Sequence, residues 1–114
     1  MLAFRLLLIA MLAILIGYTA VVIAEHGANL FPIFFGDIVK MGWAGQFNVD
    51  FSGFLILSAL WTAWRYQYAP AGLGLAVLAF FGGILFQGIH LLWLSFKTGG
   101  DMKRILLGDA RAAA

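Results

Sequence analysis

The stretch LLLIAMLAILIGYTAVVIA, Leu6 to Ala24, decides the class of fold: it is 19 residues without a charged side chain. At a helical rise of about 1.5 Å per residue it reaches roughly 28 Å, the thickness of a bilayer's hydrocarbon core. A second run, Ala71 to Phe96, has 26 residues without a charge and is long enough to cross with tilt. Between them, Phe51 to Trp64 offers only 14 uncharged residues, short for a crossing. Its flanks extend it. Asp50 is expected in the first turn and Arg65 near the last, where each complements the helix dipole. Trp61, Trp64, Tyr66 and Tyr68 form an aromatic belt beside Arg65. The expectation is an all-α integral membrane fold with three transmembrane helices, at about 6–24, 48–68 and 71–96.

Composition agrees. Of 114 residues 64% are hydrophobic and 11% charged, with a mean hydropathy of +1.01. A soluble domain of this length cannot hide so much apolar surface, which excludes a water-soluble globular enzyme. The few charges exclude a disordered tail, a coiled coil and a nucleic-acid binder. The chain has no cysteine, which excludes disulfides, thiolate metal sites and cysteine nucleophiles. Arg5 before an apolar run that ends at Ala24 has the look of a secretory signal. The run is longer than a signal core, so the span is expected to be retained.

The connections differ in kind. Tyr66 to Pro70 is a tight turn, with Pro70 opening the next helix. The segment 29–44 is too apolar for a solvated loop and too broken by Pro32, Gly36 and Gly42 for a span, so an interfacial or re-entrant segment is expected. In the tail, 97–114, Asp101 is placed to cap a short amphipathic helix through Leu107. One membrane domain is expected, 1–114. Three crossings put Arg5 and Arg65 on one side and five basic residues on the other. The N-terminus is then outside and the C-terminus cytoplasmic.

Small residues draw one stripe on the first helix, Ala10, Ala13, Gly17 and Ala20, and another on the third, Gly72, Ala76, Ala79 and Gly83. Both are expected at helix–helix contacts, because small side chains let backbones approach closely in lipid. Three spans do not consume every such face, which leaves one for a partner.

Pairing Arg65 with Ala71 across the turn sets Asp50 level with Gln87 and close to His90. The expected polar cluster is Glu25, His26, Asn48, Asp50, Gln87 and His90, with Asp50 and His90 as a register-fixing pair. Intramembrane ionisable groups are functional candidates by default. Two imidazoles and two carboxylates suit Zn, Mn or Fe, yet no metal-motif spacing is present, so no metal site is expected. His90 is the cofactor-binding candidate: as an axial ligand it would hold a tetrapyrrole against Phe86, Trp93 and Gly83, or it would contact a quinone. No cofactor is expected as the leading reading. Ser52, Ser58 and Ser95 have no base at a motif spacing, so no catalytic residues are assigned and an enzyme is not expected.

Asp50-Phe51-Ser52-Gly53-Phe54, followed by Trp61-Thr62-Ala63-Trp64-Arg65, resembles the second helix of a group of small three-span bacterial membrane proteins that share a domain of unknown function. The resemblance covers about the middle third of the chain. It implies a bacterial inner-membrane protein with no assigned activity. The long Phe-rich first connection and the tail from Lys97 to Arg111 depart from it.

The functional expectation is a non-catalytic accessory or assembly subunit packing against a larger membrane complex, respiratory or photosynthetic in type. One alternative is a homo-oligomeric transporter or channel with a pathway along Ser52, Ser58, Thr62 and Gln87. The other is a cofactor-binding membrane subunit built on His90. The expected partners are the bilayer and either a larger complex or further copies of this chain, and no nucleic acid.

Overall fold

A computed structural model describes residues 1–113, all of them in helices or short connections. Six helices follow in order: α1 (Leu2–His26), α2 (Phe31–Val39), α3 (Trp43–Arg65), α4 (Pro70–Lys97), α5 (Met102–Leu107) and α6 (Asp109–Ala113). Leu2–His26 and Pro70–Lys97 are the two helices long and apolar enough to cross a membrane by length and composition. α3 is 23 residues long, about 34 Å, but it carries Gln46, Asn48 and Asp50 in its first two turns.

The helix expected over 71–96 is broken at one residue. Gly83 has φ 54° and ψ −135°, and the helix breaks there. A straight helix from Pro70 would carry His90 about 30 Å from the turn at Tyr66. Instead the Tyr66 hydroxyl lies 2.7 Å from His90 Nε2. Gly83 lies beside Phe51 and Leu55, and Gln87 bonds Ser58 and Thr62. The residue after the break therefore climbs α3 in the same direction as α3 itself. α4 is a helical hairpin. Its first arm leaves the Tyr66 turn, and its second arm returns to it.

Each arm is about 20 Å long, so Pro70–Lys97 is folded back on itself rather than extended over its full length. The sequence permits the reversal because a glycine without Cβ reaches a backbone region closed to other residues. Helix propensity is also lowest at the Gly82-Gly83 pair. Gly83 ends one helix and starts another, and it also lies close against Phe51 and Leu55 of α3. Gly72 does serve close approach, since its α-carbon sits against the Tyr66 side chain. Ala76 is half-buried and Ala79 fully buried.

α1 runs antiparallel to the returning arm. Leu12 packs on Gly88, Arg5 bonds Ser95, and Met1 lies against Gly100. Both described ends of the chain and the turn at 66–70 therefore share one end of the molecule. That corrects the expected placement of the N-terminus and the tail on opposite sides. On α1 only Leu8 and Leu12 are buried. Ala10, Ala13, Gly17 and Ala20 are all exposed, so the expected stripe is not buried within this chain.

α2 falls inside the expected 29–44 segment and packs on the start of α3. Gly45 has no side chain to hold off the backbone of Asp37 and Ile38, and Asn48 Nδ2 donates to the Phe34 carbonyl at 3.0 Å. This docking draws α3 back to Trp43, so Asp50 lies about two turns inside the helix rather than in its first turn. At the other terminus Asp101 caps α5 as expected, accepting from the Lys103 backbone N–H at 3.1 Å.

Replacing Gly83 by Ala separates the hairpin from a straight span by sign. In a continuous helix the change would stabilise by up to about 1 kcal/mol. At φ 54°, with the new Cβ 3.3 Å from Phe51, it should destabilise by roughly 1–3 kcal/mol. The thermal midpoint in mild detergent is expected to fall.

Candidate functional site

The polar interior lies where the returning arm of α4 meets the second half of α3. Gln87 sits one turn past the Gly83 break, which aims it at α3 rather than away from it. Its Nε2 donates to Ser58 Oγ at 2.7 Å and Thr62 Oγ1 at 2.9 Å. That leaves the amide oxygen to accept from His90 Nδ1 at 2.7 Å. With its proton on Nδ1, neutral His90 accepts at Nε2 from the Tyr66 hydroxyl, 2.7 Å away. Thr62 closes the chain by donating to the Ser58 carbonyl at 2.8 Å. Donors and acceptors thus alternate from Tyr66 through His90 and Gln87 to the α3 backbone. Among the described residues no buried side-chain nitrogen or oxygen lacks a partner.

Aromatic rings enclose His90 on three sides. Phe86 stacks on it with centroids 5.4 Å apart, Tyr66 lies at 5.7 Å and Trp61 at 6.0 Å. A shallow cleft of about 450 Å³ opens between the two arms of α4, lined by Tyr66, Leu75, Phe86, Ile89, His90 and Trp93. Its wall is almost wholly apolar, because the polar atoms of His90 and Tyr66 face each other.

A second set of polar contacts latches the tail beside this network. The C-terminal carbonyls of a helix have no partner within it. α5 offers three of them to α3. Arg65 Nε donates to the Ile105 carbonyl at 2.6 Å and its Nη2 to that of Arg104 at 3.1 Å. Trp61 Nε1 donates to the Leu106 carbonyl at 3.0 Å. The guanidinium also meets the negative end of the α5 dipole. Gly108, with φ 82°, brings its α-carbon against the Arg65 carbonyl, where a side chain would collide. Arg111 donates to the Trp64 carbonyl and stacks over the Trp64 ring at 4.0 Å. On the other flank Arg5 Nε donates to Ser95 Oγ at 3.0 Å and Nη2 to the Ser95 carbonyl at 2.8 Å.

The expected cluster divides. Gln87 and His90 are together and buried. Glu25 and His26 lie exposed at the far end of α1, 3.9 Å from each other. Asn48 holds α2. Asp50 is exposed on α3, about 16 Å of helix from Trp61 and hence from His90. The Asp50–His90 pair does not form, because the register behind it assumed a straight α4. Among the described residues no three His, Asp or Glu side chains gather to hold a metal. For an axial tetrapyrrole His90 would have to give up Tyr66 at Nε2 or Gln87 at Nδ1, since both ring nitrogens are bonded. The residues present do not fit that role. On the proposed channel path, Ser58, Thr62 and Gln87 are bonded to one another and Ser52 to the Asn48 carbonyl.

Sequence reasoning missed Tyr66 and Arg65 as members of the site. Each looked like part of a membrane-interface belt. The signal that would have found them is Gly82-Gly83 in mid-run: a reversal there returns His90 to Tyr66. No protein-family model, curated protein or solved structure matches the chain.

Tyr66→Phe should lower stability by roughly 1–3 kcal/mol, since it leaves His90 Nε2 buried without its donor. Tyr66→Phe combined with His90→Phe should cost less than the sum of the two single changes. Asp50→Asn should stay within about 0.5 kcal/mol of the parent and be additive with His90→Phe. Thermal midpoints of the five variants in one detergent check all three statements.

Proposed function

We propose that the chain is a small, non-catalytic integral membrane protein that packs as an accessory subunit against other membrane helices. One observation carries this reading. The polar side chains inside the fold are consumed by one another, while the apolar faces lie open. Ile14 is 71% exposed, Phe81 70% and Val39 80%. Apolar surface on that scale has a low free energy only against lipid or a partner.

The membrane arrangement that fits this geometry has α1 and α3 crossing, the α4 hairpin entering and leaving from one face, and α2 at the opposite interface. Arg5, Arg65, Lys97, Lys103, Arg104 and Arg111 share the end that holds the chain's described termini, and Lys40 alone lies at the other. An excess of Lys and Arg marks the cytoplasmic side. Both termini are therefore cytoplasmic in this arrangement, in a bacterial inner membrane as the resemblance of Asp50 to Arg65 implies.

Within α1, everything from Ile16 to His26 is exposed. Lipid alone would suit the Leu and Ile of this half-helix. Gly17 and Ala20 suit a second helix, since they allow backbones to approach. Neither the channel nor the cofactor reading draws comparable support, because the residues each requires are already bonded within the chain.

Gly17→Leu supplies the test. Nothing lies within 4 Å of the position a Cβ would take there, so the fold should tolerate the change. The tagged wild-type chain, purified in gentle detergent, should bring down a larger membrane complex. Gly17→Leu should insert normally and lose it. Recovery of the wild type solely as a monomer or homo-oligomer would contradict the accessory role.

A further inference from the structure

Four cations lie over aromatic rings, all at one end of the molecule. Arg5 sits 4.1 Å from the Phe96 centroid and Arg65 4.8 Å from Tyr66. Lys97 sits 4.7 Å from Trp93 and Arg111 4.0 Å from Trp64. The same end carries two carboxylates. Asp109 is paired with Arg104 at 2.8 Å, and Asp101 is engaged as the cap of α5. Among the described residues, Arg5, Arg65, Lys97, Lys103 and Arg111 have no carboxylate within salt-bridge distance. Arg65 is largely buried, and backbone carbonyls satisfy its donors without neutralising its charge. The opposite end is reversed in sign, with Glu25, Asp37 and Asp50 against Lys40.

We infer that this end is a docking surface for anionic phospholipid headgroups, whose phosphates supply the counter-charge that the protein lacks. The inference rests on the membrane reading above and adds the chemistry of the leaflet. Three features select a lipid surface over a single bound anion. The cations lie over four separate rings, those of Phe96, Tyr66, Trp93 and Trp64, rather than over one. Trp and Tyr side chains sit by preference at headgroup level. Lys97 and Lys103 are exposed, and neither has a carboxylate within salt-bridge distance among the described residues. Each cation near an anionic surface contributes about five-fold in affinity.

The test uses the full chain in mild detergent, offered equal amounts of phosphatidylglycerol and phosphatidylcholine, with retained lipid read by native mass spectrometry. Phosphatidylglycerol should be retained in preference by on the order of ten-fold. Lys97→Gln with Lys103→Gln should bring the two lipids toward parity, and Lys97→Arg with Lys103→Arg should keep the preference. Neither lysine side chain makes a hydrogen bond within the fold, so both variants should fold. Equal retention of the two lipids by the wild type would overturn the inference. So would displacement of phosphatidylglycerol by millimolar inorganic phosphate, which would mark a free-anion site. Flotation with vesicles of the same two lipids, after a carbonate wash, keeps the two readings apart. A chain that floats but shows no lipid preference refutes only the headgroup surface. A chain that does not float refutes the membrane reading and this inference together.

Discussion

The backbone at Gly83 governs where everything after it lies. With φ 54° and ψ −135°, it turns a run that reads as one membrane span into two antiparallel arms. The direction of the returning arm then sets which residues meet. Gln87 reaches Ser58 and Thr62, His90 reaches Tyr66, and Ser95 reaches Arg5. A helix that continued straight would place none of these pairs within bonding distance. The reversal also keeps the tail on the same end as the Tyr66 turn, where α5 can lay its last carbonyls on Arg65 and Trp61.

Two kinds of polar contact hold the hairpin closed, and they work in different ways. Inside, the alternation of donors and acceptors from Tyr66 to Ser58 leaves no member replaceable by its mirror image. Gln87 must present its amide nitrogen to the two hydroxyls and its oxygen to His90. A fully satisfied network of this kind fixes register in a low-dielectric interior, where an unpaired group is costly. At the end of the molecule the contacts are charge on dipole and charge on ring. Arg65 bonds the Ile105 and Arg104 carbonyls near the end of α5, and Arg111 bonds the Trp64 carbonyl near the end of α3. Short helices such as α5 and α6 have little stability of their own, so these guanidinium groups define the tail.

Much of this fold was legible from composition and periodicity. The first long apolar helix, the apolar segment around Phe31–Val39, the start of α4 at Pro70 and the Asp101 cap all follow from local rules that the structure obeys. The reversal was not legible by those rules, since hydropathy averages over a glycine pair and reports only a long apolar run. Every error in the site descends from that one. Counting helical rise along a straight α4 brought Asp50 to His90, whereas the hairpin brings Tyr66. The same counting split the basic residues five to two across the membrane, where the hairpin gathers six of the seven at one end. Gln87 and His90, three residues apart in an apolar helix, share a face. What they face depends on a backbone angle that no periodicity records.

The two arms of the α4 hairpin can be measured directly. The chain has no cysteine, so spin labels on Ala69→Cys and Met102→Cys report only that pair. Pulsed electron–electron distance measurement in detergent and in bilayers should give roughly 10–25 Å, one to two helix diameters. A distance beyond about 40 Å, as a straight α4 requires, would contradict the hairpin and the site built on it.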